Sequence, residues 1–345
     1  MAIEVRIKKS FGDFTLDVDF TSQRGRLGIL GASGSGKSMT LKGIAGIIRP
    51  DEGRIVLNDR VLFDSEKKIN LKPQVRRVGY LFQNYALFPH RTVAENIASG
   101  LGIKMRSASA DARVKEMLRL LQLEGMEERY PGQLSGGQQQ RVALGRILVY
   151  KPEIILLDEP FSALDEHLRE QLQLQLSHVL EGWKDDTILV THSRDEAYRL
   201  TDHMMIVDGG RIVARGETKE LFHYPKCVAA ARLSGCKNIE KAIRRGDHEI
   251  EVPAWRACLY TSQPVPDNVT AVGVRAHDFF PASPDTRNAI SVAIDSVSET
   301  PFERVYILLC PDGALLWWKM PREQFAPGCM THIAVKPEDV MVLTD

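Results

Sequence analysis

A glycine-rich octet at residues 31–38 constrains the fold of this chain more than any other feature. It reads Gly-Ala-Ser-Gly-Ser-Gly-Lys-Ser and matches the pattern GxxxxGK(S/T) in full. An apolar run at residues 27–30 precedes the octet, and a helical pattern over residues 39–48 follows it. In such a strand–loop–helix unit, backbone N–H groups and the helix dipole face a phosphate. The octet therefore predicts a phosphate-binding loop, whose members are Gly31, Ala32, Ser33, Gly34, Ser35, Gly36, Lys37 and Ser38.

Two side chains of this loop carry the chemistry that a nucleoside triphosphate requires. Lys37 brings a positive charge to the β- and γ-phosphates, and the hydroxyl of Ser38 can ligate Mg²⁺. The alternative is a glycine-rich turn that starts a helix and binds nothing. The strand before the loop and the helix after it favour the nucleotide site over that alternative.

Polar residues that could act on such a nucleotide stand at the ends of two other apolar runs. Residues 154–157 end in Asp158-Glu159, and residues 187–190 are followed closely by His192. Ligands of open parallel sheets bind at the carboxyl ends of the strands. Asp158 can hold Mg²⁺ through water, Glu159 can orient or deprotonate an attacking water, and His192 can contact a γ-phosphate. The alternatives are a solvated strand end and a structural histidine.

The length of 345 residues suggests two or three domains. The predicted secondary-structure pattern changes at about residue 235. Before that point, short aliphatic runs alternate with helical patterns at 108–123 and 166–180, which predicts a parallel α/β sheet. After it, short strands without intervening helices predict an antiparallel sheet or a small barrel. The boundary is expected between residues 221 and 237. The predicted strands of the second region are 271–274, 290–297, 305–309, 315–319 and 332–335.

Composition excludes several classes of protein. The chain is 43% hydrophobic and has a formal net charge of zero, which argues against disorder and gives no field that attracts nucleic acid. No apolar run reaches the roughly 20 residues that span a bilayer, and the N-terminus lacks the apolar core of a signal peptide. The five scattered cysteines form no CxxC pair, which is typical of reduced thiols. We therefore expect a cytoplasmic protein.

A second glycine-bearing segment narrows the class. Residues 134–141 read Leu-Ser-Gly-Gly-Gln-Gln-Gln-Arg, and the serine and glycine amides open a helix as another anion-binding nest. Since one chain needs only one phosphate loop, a second nest indicates that ATP lies between two subunits. This segment resembles the signature motif of ATP-binding-cassette (ABC) proteins, which here comprises Ser135, Gly136, Gly137 and Gln138.

The remaining motifs of the ABC family follow in their usual order. The chain resembles the family at Gln83, at Asp158-Glu159, at residues 162–165 and at His192. This resemblance implies an ATPase that uses ATP and Mg²⁺ and works as a head-to-tail homodimer. Its fold would be α/β, a P-loop cassette that contains a helical subdomain.

The resemblance also assigns roles to the site residues. Each ATP would be held by the phosphate loop of one subunit and by Ser135, Gly136 and Gly137 of the other. Glu159 would be the general base, and His192 would contact the γ-phosphate. The other implied roles are a Mg²⁺ site at Ser38, Gln83 and Asp158, a nucleotide-site residue at Asp165, and adenine stacking by Phe11 or Phe14.

The family divides into importer subunits, exporters and soluble factors, and the chain is most similar to the importers. It has one cassette and no membrane segment, unlike fused exporters, and it lacks the second cassette of translation factors and the coiled coils of repair proteins. Residues 83–90 resemble the surface on which importer ATPases receive a helix of an integral-membrane permease, with Tyr85, Leu87 and Phe88 as anchors. The alternative is that these are ordinary core residues.

The region after the cassette resembles the TOBE-type domain of importer ATPases. The prediction is therefore a cassette over residues 1–230, with its helical subdomain at about 84–150, and a small all-β, OB-like regulatory barrel over residues 236–345. Such a subunit would lie peripherally on the cytoplasmic side of the membrane. It would serve an extracytoplasmic solute-binding protein through the permease.

Three stretches resemble the molybdate/sulfate group of importer ATPases, namely residues 11–20, 56–65 and 235–239. Residues 286–290 also resemble the start of a molybdate-binding repeat, although the usual glycine is absent and only one repeat is evident. We therefore predict uptake of an oxyanion, with molybdate or tungstate first and sulfate, thiosulfate or another small solute as the alternative. The domain itself could bind an oxyanion or serve as a structural or regulatory barrel.

A soluble ABC factor that binds RNA is the alternative from another functional class, since small barrels often bind nucleic acid. Its best candidate contact is Trp317-Trp318-Lys319, where one tryptophan of a strand would face the core. The neutral charge balance and the lack of a basic, aromatic-rich strand face favour the importer. No nucleic-acid partner is therefore predicted.

Overall fold

The computed structural model describes residues 3–23, 25–102, 108–162, 166–181, 186–324 and 330–345. The chain divides into two compact units, Met1–Thr218 and Lys219–Asp345. Sequence reasoning placed the boundary slightly later, between residues 221 and 237. Among the described residues, no helix is both long and apolar enough to cross a membrane.

The first unit combines two sheets with six helices among its described residues. Its strands are β1 (Ile3–Phe11), β2 (Phe14–Ser22), β3 (Arg26–Leu30), β4 (Glu52–Leu57), β5 (Arg60–Asp64), β6 (Ile69–Asn70), β7 (Val78–Leu81), β8 (Ile154–Asp158), β9 (Asp186–Thr191), β10 (His203–Asp208) and β11 (Arg211–Glu217). Its helices are α1 (Lys37–Ala45), α2 (Val93–Ala98), α3 (Ala108–Leu120), α4 (Gly136–Leu148), α5 (Glu166–Glu181) and α6 (Arg194–Leu200).

The larger sheet has the strand order β11-β10-β3-β9-β8-β7, and its five strands from β10 to β7 run parallel. Strand β8 shows why these runs are apolar at every position. Ile154 and Leu156 join one hydrophobic core, while Ile155 and Leu157 join the core on the opposite face. A strand covered on both faces cannot alternate with polar residues. The α/β prediction is therefore confirmed.

The smaller sheet is antiparallel, with the order β2-β1-β4-β5-β6, and sequence reasoning missed it. In β1, Ile3, Val5 and Ile7 are buried while Arg6 and Lys8 are exposed, which is the period-two alternation of a half-buried strand. The buried residues share a core with α1 and the parallel sheet. Charged residues alternate with apolar ones in β1 and β2, so a search for continuous apolar runs does not find these two strands.

The helical part of the first unit packs α2, α3, α4 and α5 around one core. The predicted helices 39–48, 108–123 and 166–180 correspond to α1, α3 and α5. Helix α1 ends three residues early because Gly46 takes φ +77° and stops the helix. Helix α2 begins at a capping box, in which Thr92 accepts from the Glu95 amide and the Glu95 carboxylate accepts from the Thr92 amide.

The second unit contains two short helices and four three-stranded antiparallel sheets among its described residues. These sheets confirm the prediction that the C-terminal region is a small β domain. The helices are α7 (Thr218–His223) and α8 (Val228–Leu233). The strands are β12 (Asn238–Lys241), β13 (Ile243–Gly246), β14 (Glu249–Val252), β15 (Ala257–Tyr260), β16 (Ala271–Val274), β17 (Phe279–Pro281), β18 (Ala289–Ser291), β19 (Ala293–Glu299), β20 (Glu303–Leu309), β21 (Leu315–Pro321), β22 (His332–Val335) and β23 (Met341–Leu343).

Two details of this unit refine the sequence reasoning. The predicted strand 290–297 is two strands, because β18 pairs with β22 whereas β19 pairs with β20, and Val292 stands between them. In β21, Trp318 is 2% exposed and packs in the core, whereas Trp317 is 37% exposed. One tryptophan of the pair faces the core, as predicted from strand alternation.

Candidate functional site

The phosphate loop connects β3 to α1, and its glycines are required by geometry. Gly36 precedes the helix with φ +101°, and a Cβ there would lie 2.8 Å from Cδ1 of Leu16. At Gly31, a Cβ would lie 2.3 Å from the carbonyl oxygen of Val207. A side chain at either position would push the loop away from the strands that hold it.

Lys37 starts α1 and is only 4% exposed. Its Nζ donates hydrogen bonds to the carbonyls of Gly31 at 2.9 Å and Ala32 at 2.8 Å, so the ammonium group is held over the loop. Burial lowers the pKa of Lys37, and the negative charges of Glu159 and Asp158 oppose that shift. The sequence-predicted lysine and both acids therefore share one electrostatic environment.

Ser35 supplies an independent indication that the loop binds a polar ligand. Its side-chain oxygen is buried in the phosphate loop and has no hydrogen-bond partner among the described residues. A buried hydroxyl without a partner is costly unless water or a ligand satisfies it. A phosphate oxygen in the loop would supply the missing acceptor.

Asp158 ends β8 beside the phosphate loop, and both of its carboxylate oxygens accept hydrogen bonds. Ser38 Oγ donates to Oδ1 at 2.6 Å, and Tyr80 Oη donates to Oδ2 at 2.6 Å. Burial, followed by the bond to Asp158, raises the pKa of Tyr80, so its hydroxyl stays protonated. Sequence reasoning missed Tyr80, because an aromatic residue in an apolar strand is typical of core.

Glu159 follows with an unusual backbone, a left-handed φ of +46°. Its amide donates to the carbonyl of Val190 at 2.9 Å, and its own carbonyl accepts from the Ser162 amide and hydroxyl. A left-handed residue with a side chain costs about 1–2 kcal/mol, which these bonds offset. The left-handed turn and these hydrogen bonds fix the backbone of Glu159 directly after β8.

His192 and Glu159 come from different strands and meet at this edge. The distance between His192 Nδ1 and Glu159 Oε2 is 3.3 Å. The histidine side chain is 58% exposed, whereas that of the glutamate is 20% exposed. The structure therefore brings together the two residues that sequence reasoning singled out as catalytic.

A small network behind His192 fixes its loop. The Thr191 hydroxyl donates to the buried carboxyl group of Glu196 and accepts from the amide of Ser193. Burial raises the pKa of Glu196. Sequence reasoning missed this network, although Ser193-Arg-Asp-Glu196 carries the serine-to-glutamate spacing of a helix N-terminus, where Ser193 caps α6.

A cleft of about 390 Å³ borders the phosphate loop, and neither Asp158 nor His192 is among its described lining residues. Besides the loop, its lining includes Phe11, Phe14, Met39, Gln83 and Glu159. Both predicted adenine-stacking candidates, Phe11 and Phe14, therefore border the cleft, and their ring centres lie 6.4 Å apart. Gln83 is exposed at its edge, one residue beyond Phe82, whose ring lies 4.6 Å from that of Tyr80.

The signature segment lies outside the residues that line this cleft. Ser135 caps α4, accepting from the Gln138 amide at 3.3 Å while its own amide donates to Gln138 Oε1 at 2.9 Å. Ser135 is exposed, and Gly137 is packed so closely that a Cβ would lie 2.9 Å from Leu172 Cδ1. Asp165, also predicted for the nucleotide site, lies outside the described residues.

The predicted permease-binding surface needs one correction. Tyr85 is 5% exposed and belongs to the helical core, so it is unavailable as a surface anchor. Its backbone takes a left-handed φ of +57°, and Arg146 binds the carbonyls of Tyr85 and Ala86. Leu87 is half-buried, whereas Phe88 is 44% exposed, with the Arg91 guanidinium 4.6 Å from the ring centre. Phe88 is the exposed aromatic residue of this segment.

Comparison with known proteins identifies relatives of this chain. The ABC transporter family profile matches residues 16–162. The "Sulfate/thiosulfate import ATP-binding protein CysA 2" of Agrobacterium fabrum is 37% identical over 327 residues, 92% of each chain. The "Probable sulfate/thiosulfate import ATP-binding protein CysA" of Chlorella vulgaris is 44% identical, over 67% of this chain and 97% of that protein. The "Fe(3+) ions import ATP-binding protein FbpC" of Haemophilus influenzae is 43% identical, over 64% and 62%.

Solved structures of ABC proteins also resemble this chain. The cbiO1 protein of Clostridium perfringens, part of the ABC transporter complex cbiONQ, superposes with a TM-score of 0.57 at 27% identity. It covers 64% of this chain and 90% of that one. The ATP-binding cassette MJ0796, solved as a dimer in a post-hydrolysis state with ADP and Pi, gives a TM-score of 0.53 at 29% identity. That comparison covers 63% of this chain and 99% of the other.

Proposed function

The chain belongs to the ABC transporter family as an ATP-binding subunit of the importer type, and from this we propose that it hydrolyses ATP to drive uptake of sulfate or thiosulfate. The observation that carries the proposal is likeness beyond the cassette, since the Agrobacterium fabrum relative matches 92% of both chains. Two further relatives with sulfate and thiosulfate in their names, from Synechococcus elongatus and Thermosynechococcus vestitus, match 93% and 92% of this chain at 35% identity.

Molybdate, the first choice from the sequence, becomes the second candidate. Residues 11–20, 56–65 and 235–239 support an oxyanion importer of the molybdate/sulfate group. The names of the relatives described above carry sulfate, thiosulfate or Fe³⁺ and not molybdate. Sulfate and molybdate are both tetrahedral dianions, so an assay that compares the two decides the question.

In this proposal, the phosphate loop holds the triphosphate of ATP. The loop amides and the Lys37 ammonium face the β- and γ-phosphates, and the Ser35 hydroxyl donates to a phosphate oxygen. The Ser38 hydroxyl and the Asp158 carboxylate form a hard-oxygen pair that fits Mg²⁺, with Gln83 as a further oxygen donor at the cleft. When bound, Mg²⁺ neutralises charge on the β- and γ-phosphates.

Glu159 is the general base of the proposed hydrolysis. Its carboxylate accepts a proton from the water that attacks the γ-phosphorus, while the backbone bond to Val190 fixes the position of the residue. His192 contacts the γ-phosphate and, through its 3.3 Å contact with Oε2, orients the Glu159 carboxylate. Thr191 and Glu196 act behind them as positioning residues.

The signature completes the site from a second subunit. Importer ATP-binding subunits work as cassette dimers with membrane permease components. The exposed Ser135, with the amides of Gly136 and Gly137 at the start of α4, would reach the γ-phosphate held by the partner's phosphate loop. Closure of two such sites would bring the cassettes together when ATP binds, and hydrolysis would release them.

We place the permease contact at residues 83–90, with Phe88 as its anchor. The exposed ring and the two arginines near it, Arg91 and Arg146, would receive a short helix with an apolar side chain and an acidic or carbonyl end. The subunit would then lie peripherally at the cytoplasmic face of the membrane. An extracytoplasmic solute-binding protein would deliver the anion to the other face.

The test is ATP hydrolysis by the reconstituted complex of this chain, its permease and the solute-binding protein. We expect sulfate or thiosulfate to stimulate hydrolysis, and molybdate and tungstate to have little effect. Stimulation by molybdate and tungstate alone would overturn the substrate assignment in favour of the second candidate. A complex that carries Glu159→Gln is the control for hydrolysis by contaminating ATPases.

A further inference from the structure

The helix that begins at the signature also binds the segment that contacts the permease in the proposed function. Ser135 caps α4, and Arg146 lies about 16 Å further along the axis of the same helix. Arg146 donates from Nη1 to the carbonyl of Ala86 at 2.6 Å and from Nη2 to that of Tyr85 at 2.8 Å. Its guanidinium carbon also lies 5.6 Å from the ring centre of Phe88. One side chain therefore joins the signature helix to both the backbone and the exposed ring of that segment.

The backbone that Arg146 binds is strained. Tyr85 and Ala86 are consecutive residues with φ of +57° and +45°. The left-handed region is unfavourable for residues that carry a side chain, so such a pair persists only where surrounding groups hold it. Inside the segment, the Tyr85 amide donates to the carbonyl of Phe82 and the Ala86 amide to that of Asn84. Arg146 adds two bonds from outside the segment, to the carbonyls of the strained residues themselves.

Helix α4 is packed closely enough to carry a displacement from one end to the other. Val142 and Leu144 on this helix are buried in the helical core. At Gly100, a Cβ would lie 2.0 Å from the carbonyl oxygen of Arg146, so the two backbones are in close contact. Tightly packed elements shift between discrete arrangements and do not deform freely. A shift at the Ser135 end of α4 therefore reaches Arg146.

We propose that Arg146 is a positioning residue that transmits the engagement of the signature to the permease contact. When the γ-phosphate held by the partner binds at Ser135, α4 is fixed, and Arg146 sets the positions of the strained carbonyls and of the Phe88 ring. This role rests on the proposed function, since it uses both the shared nucleotide site and the permease contact. It is distinct from a route through Gln83, which lines the nucleotide cleft of its own chain.

A second side chain holds the same segment from another helix and provides a comparison. Asn96 of α2 is fully buried, and its Oδ1 accepts from the Phe88 amide at 2.9 Å. Its Nδ2 donates to the carbonyls of Phe88 at 3.1 Å and Arg91 at 2.9 Å. Loss of Asn96 or of Arg146 would loosen the segment. Only loss of Arg146 would remove its direct hydrogen bonds to the signature helix.

Hydrogen exchange of backbone amides tests this role in the full-length chain. The peptide that covers residues 85–91 is followed by mass spectrometry in the Glu159→Gln chain with and without saturating Mg·ATP, and light scattering reports dimer formation. We expect Mg·ATP to change the exchange rate of this peptide by about threefold or more. Arg146→Gln should abolish that change while the dimer still forms. Ser135→Arg should abolish both, because the change comes from the signature and not from Gln83.

Two further variants separate this role from a merely structural one, with folding checked by circular dichroism. Arg141→Gln removes another arginine of α4, one that binds the carbonyls of Leu121 and Gln122, and should leave the response to Mg·ATP unchanged. Asn96→Ala should speed exchange of the peptide without nucleotide and yet keep the response.

A response to Mg·ATP that persists in Arg146→Gln or in Ser135→Arg would overturn the proposal. Loss of the response in Asn96→Ala as well would show that it depends only on an ordered segment, and would also overturn the role of Arg146. A parent Glu159→Gln chain that dimerises without any change in this peptide would do the same. A parent chain that stays monomeric would instead contradict the shared nucleotide site, and the role of Arg146 would fall with it.

Discussion

The two halves of the proposed nucleotide site are built very differently. The phosphate-loop half is buried and internally bonded: Lys37, Ser38 and Asp158 all have hydrogen-bond partners inside the same chain. The signature half is exposed, and the bonds of the Ser135 side chain and amide go to Gln138, within the first turn of α4. The functional groups of the phosphate-loop half are bonded to one another within the chain, whereas Ser135 of the signature half faces solvent.

The two halves should therefore respond differently to substitution. Substitutions in the buried half should damage nucleotide binding or chemistry in the isolated chain. Substitutions in the exposed half should leave binding by one chain intact and damage only what two chains do together.

Glu159→Gln should reduce the rate of ATP hydrolysis by about a thousandfold, because general-base catalysis contributes on the order of 10²–10⁴. ATP binding should remain near normal, since the amide keeps the size and the backbone turn of the glutamate. Glu153→Gln, one residue before the same strand β8, is the matched control and should hydrolyse normally. A Glu159→Gln chain with near-normal turnover would remove Glu159 from the role of base.

Lys37→Ala should weaken ATP binding by roughly 10- to 100-fold, because hydrogen bonds to charged groups contribute about 1.5–3 kcal/mol. The measurement is the dissociation constant by titration calorimetry with a slowly hydrolysed analogue. Lys42→Ala, on the same helix but away from the cleft lining, should bind like the unmodified chain. If Lys37→Ala binds ATP as tightly as the control, the phosphate-loop assignment is wrong.

Ser135→Arg should lower the hydrolysis rate by at least about tenfold while the isolated chain binds ATP with unchanged affinity. The long side chain would occupy the surface that must meet the partner's phosphate loop. Loss of the helix cap costs about 1 kcal/mol of stability, so Ser135→Ala, which loses the cap without adding bulk, is the control for folding. Weakened ATP binding in the Ser135→Arg monomer would contradict the division into two halves.

Tyr80→Phe should raise the KM for Mg·ATP by about threefold to tenfold, because the Asp158 carboxylate loses one of its two donors. Tyr150→Phe is a close control, since Tyr150 is a tyrosine that donates to the backbone carbonyl of Val78, away from the cleft lining. Equal kinetics in the two variants would show that the Tyr80 bond has only a structural role.

Much of the buried half could be predicted from sequence because its constraints are local. The Gly31–Ser38 loop shows a strand, a glycine turn and a helix start within one short segment. Asp158 and His192 can be recognised from sequence because each is a polar residue at or near the end of an apolar run. Parallel strands bring such ends to one edge of a sheet, so these residues had to lie close together.

What could not be predicted depends on contacts distant in sequence. Tyr80 lies 78 residues from its acceptor, and only the pairing of β7 with β8 brings its hydroxyl to Asp158. Tyr85 is an aromatic residue of the type that anchors a docking helix, yet in the structure its ring packs in the core. Its backbone carbonyl accepts a hydrogen bond from the distant Arg146. Local pattern carries no information about either partner.

Whether two subunits share each nucleotide site is tested by the mass of the Glu159→Gln chain, measured by light scattering at saturating Mg·ATP. We expect a monomer of 38.7 kDa without nucleotide and a particle of twice that mass with it. ADP should not support the larger particle, because the signature of the partner would contact the γ-phosphate. A chain that binds Mg·ATP tightly and stays monomeric at every concentration would contradict a site shared between two subunits.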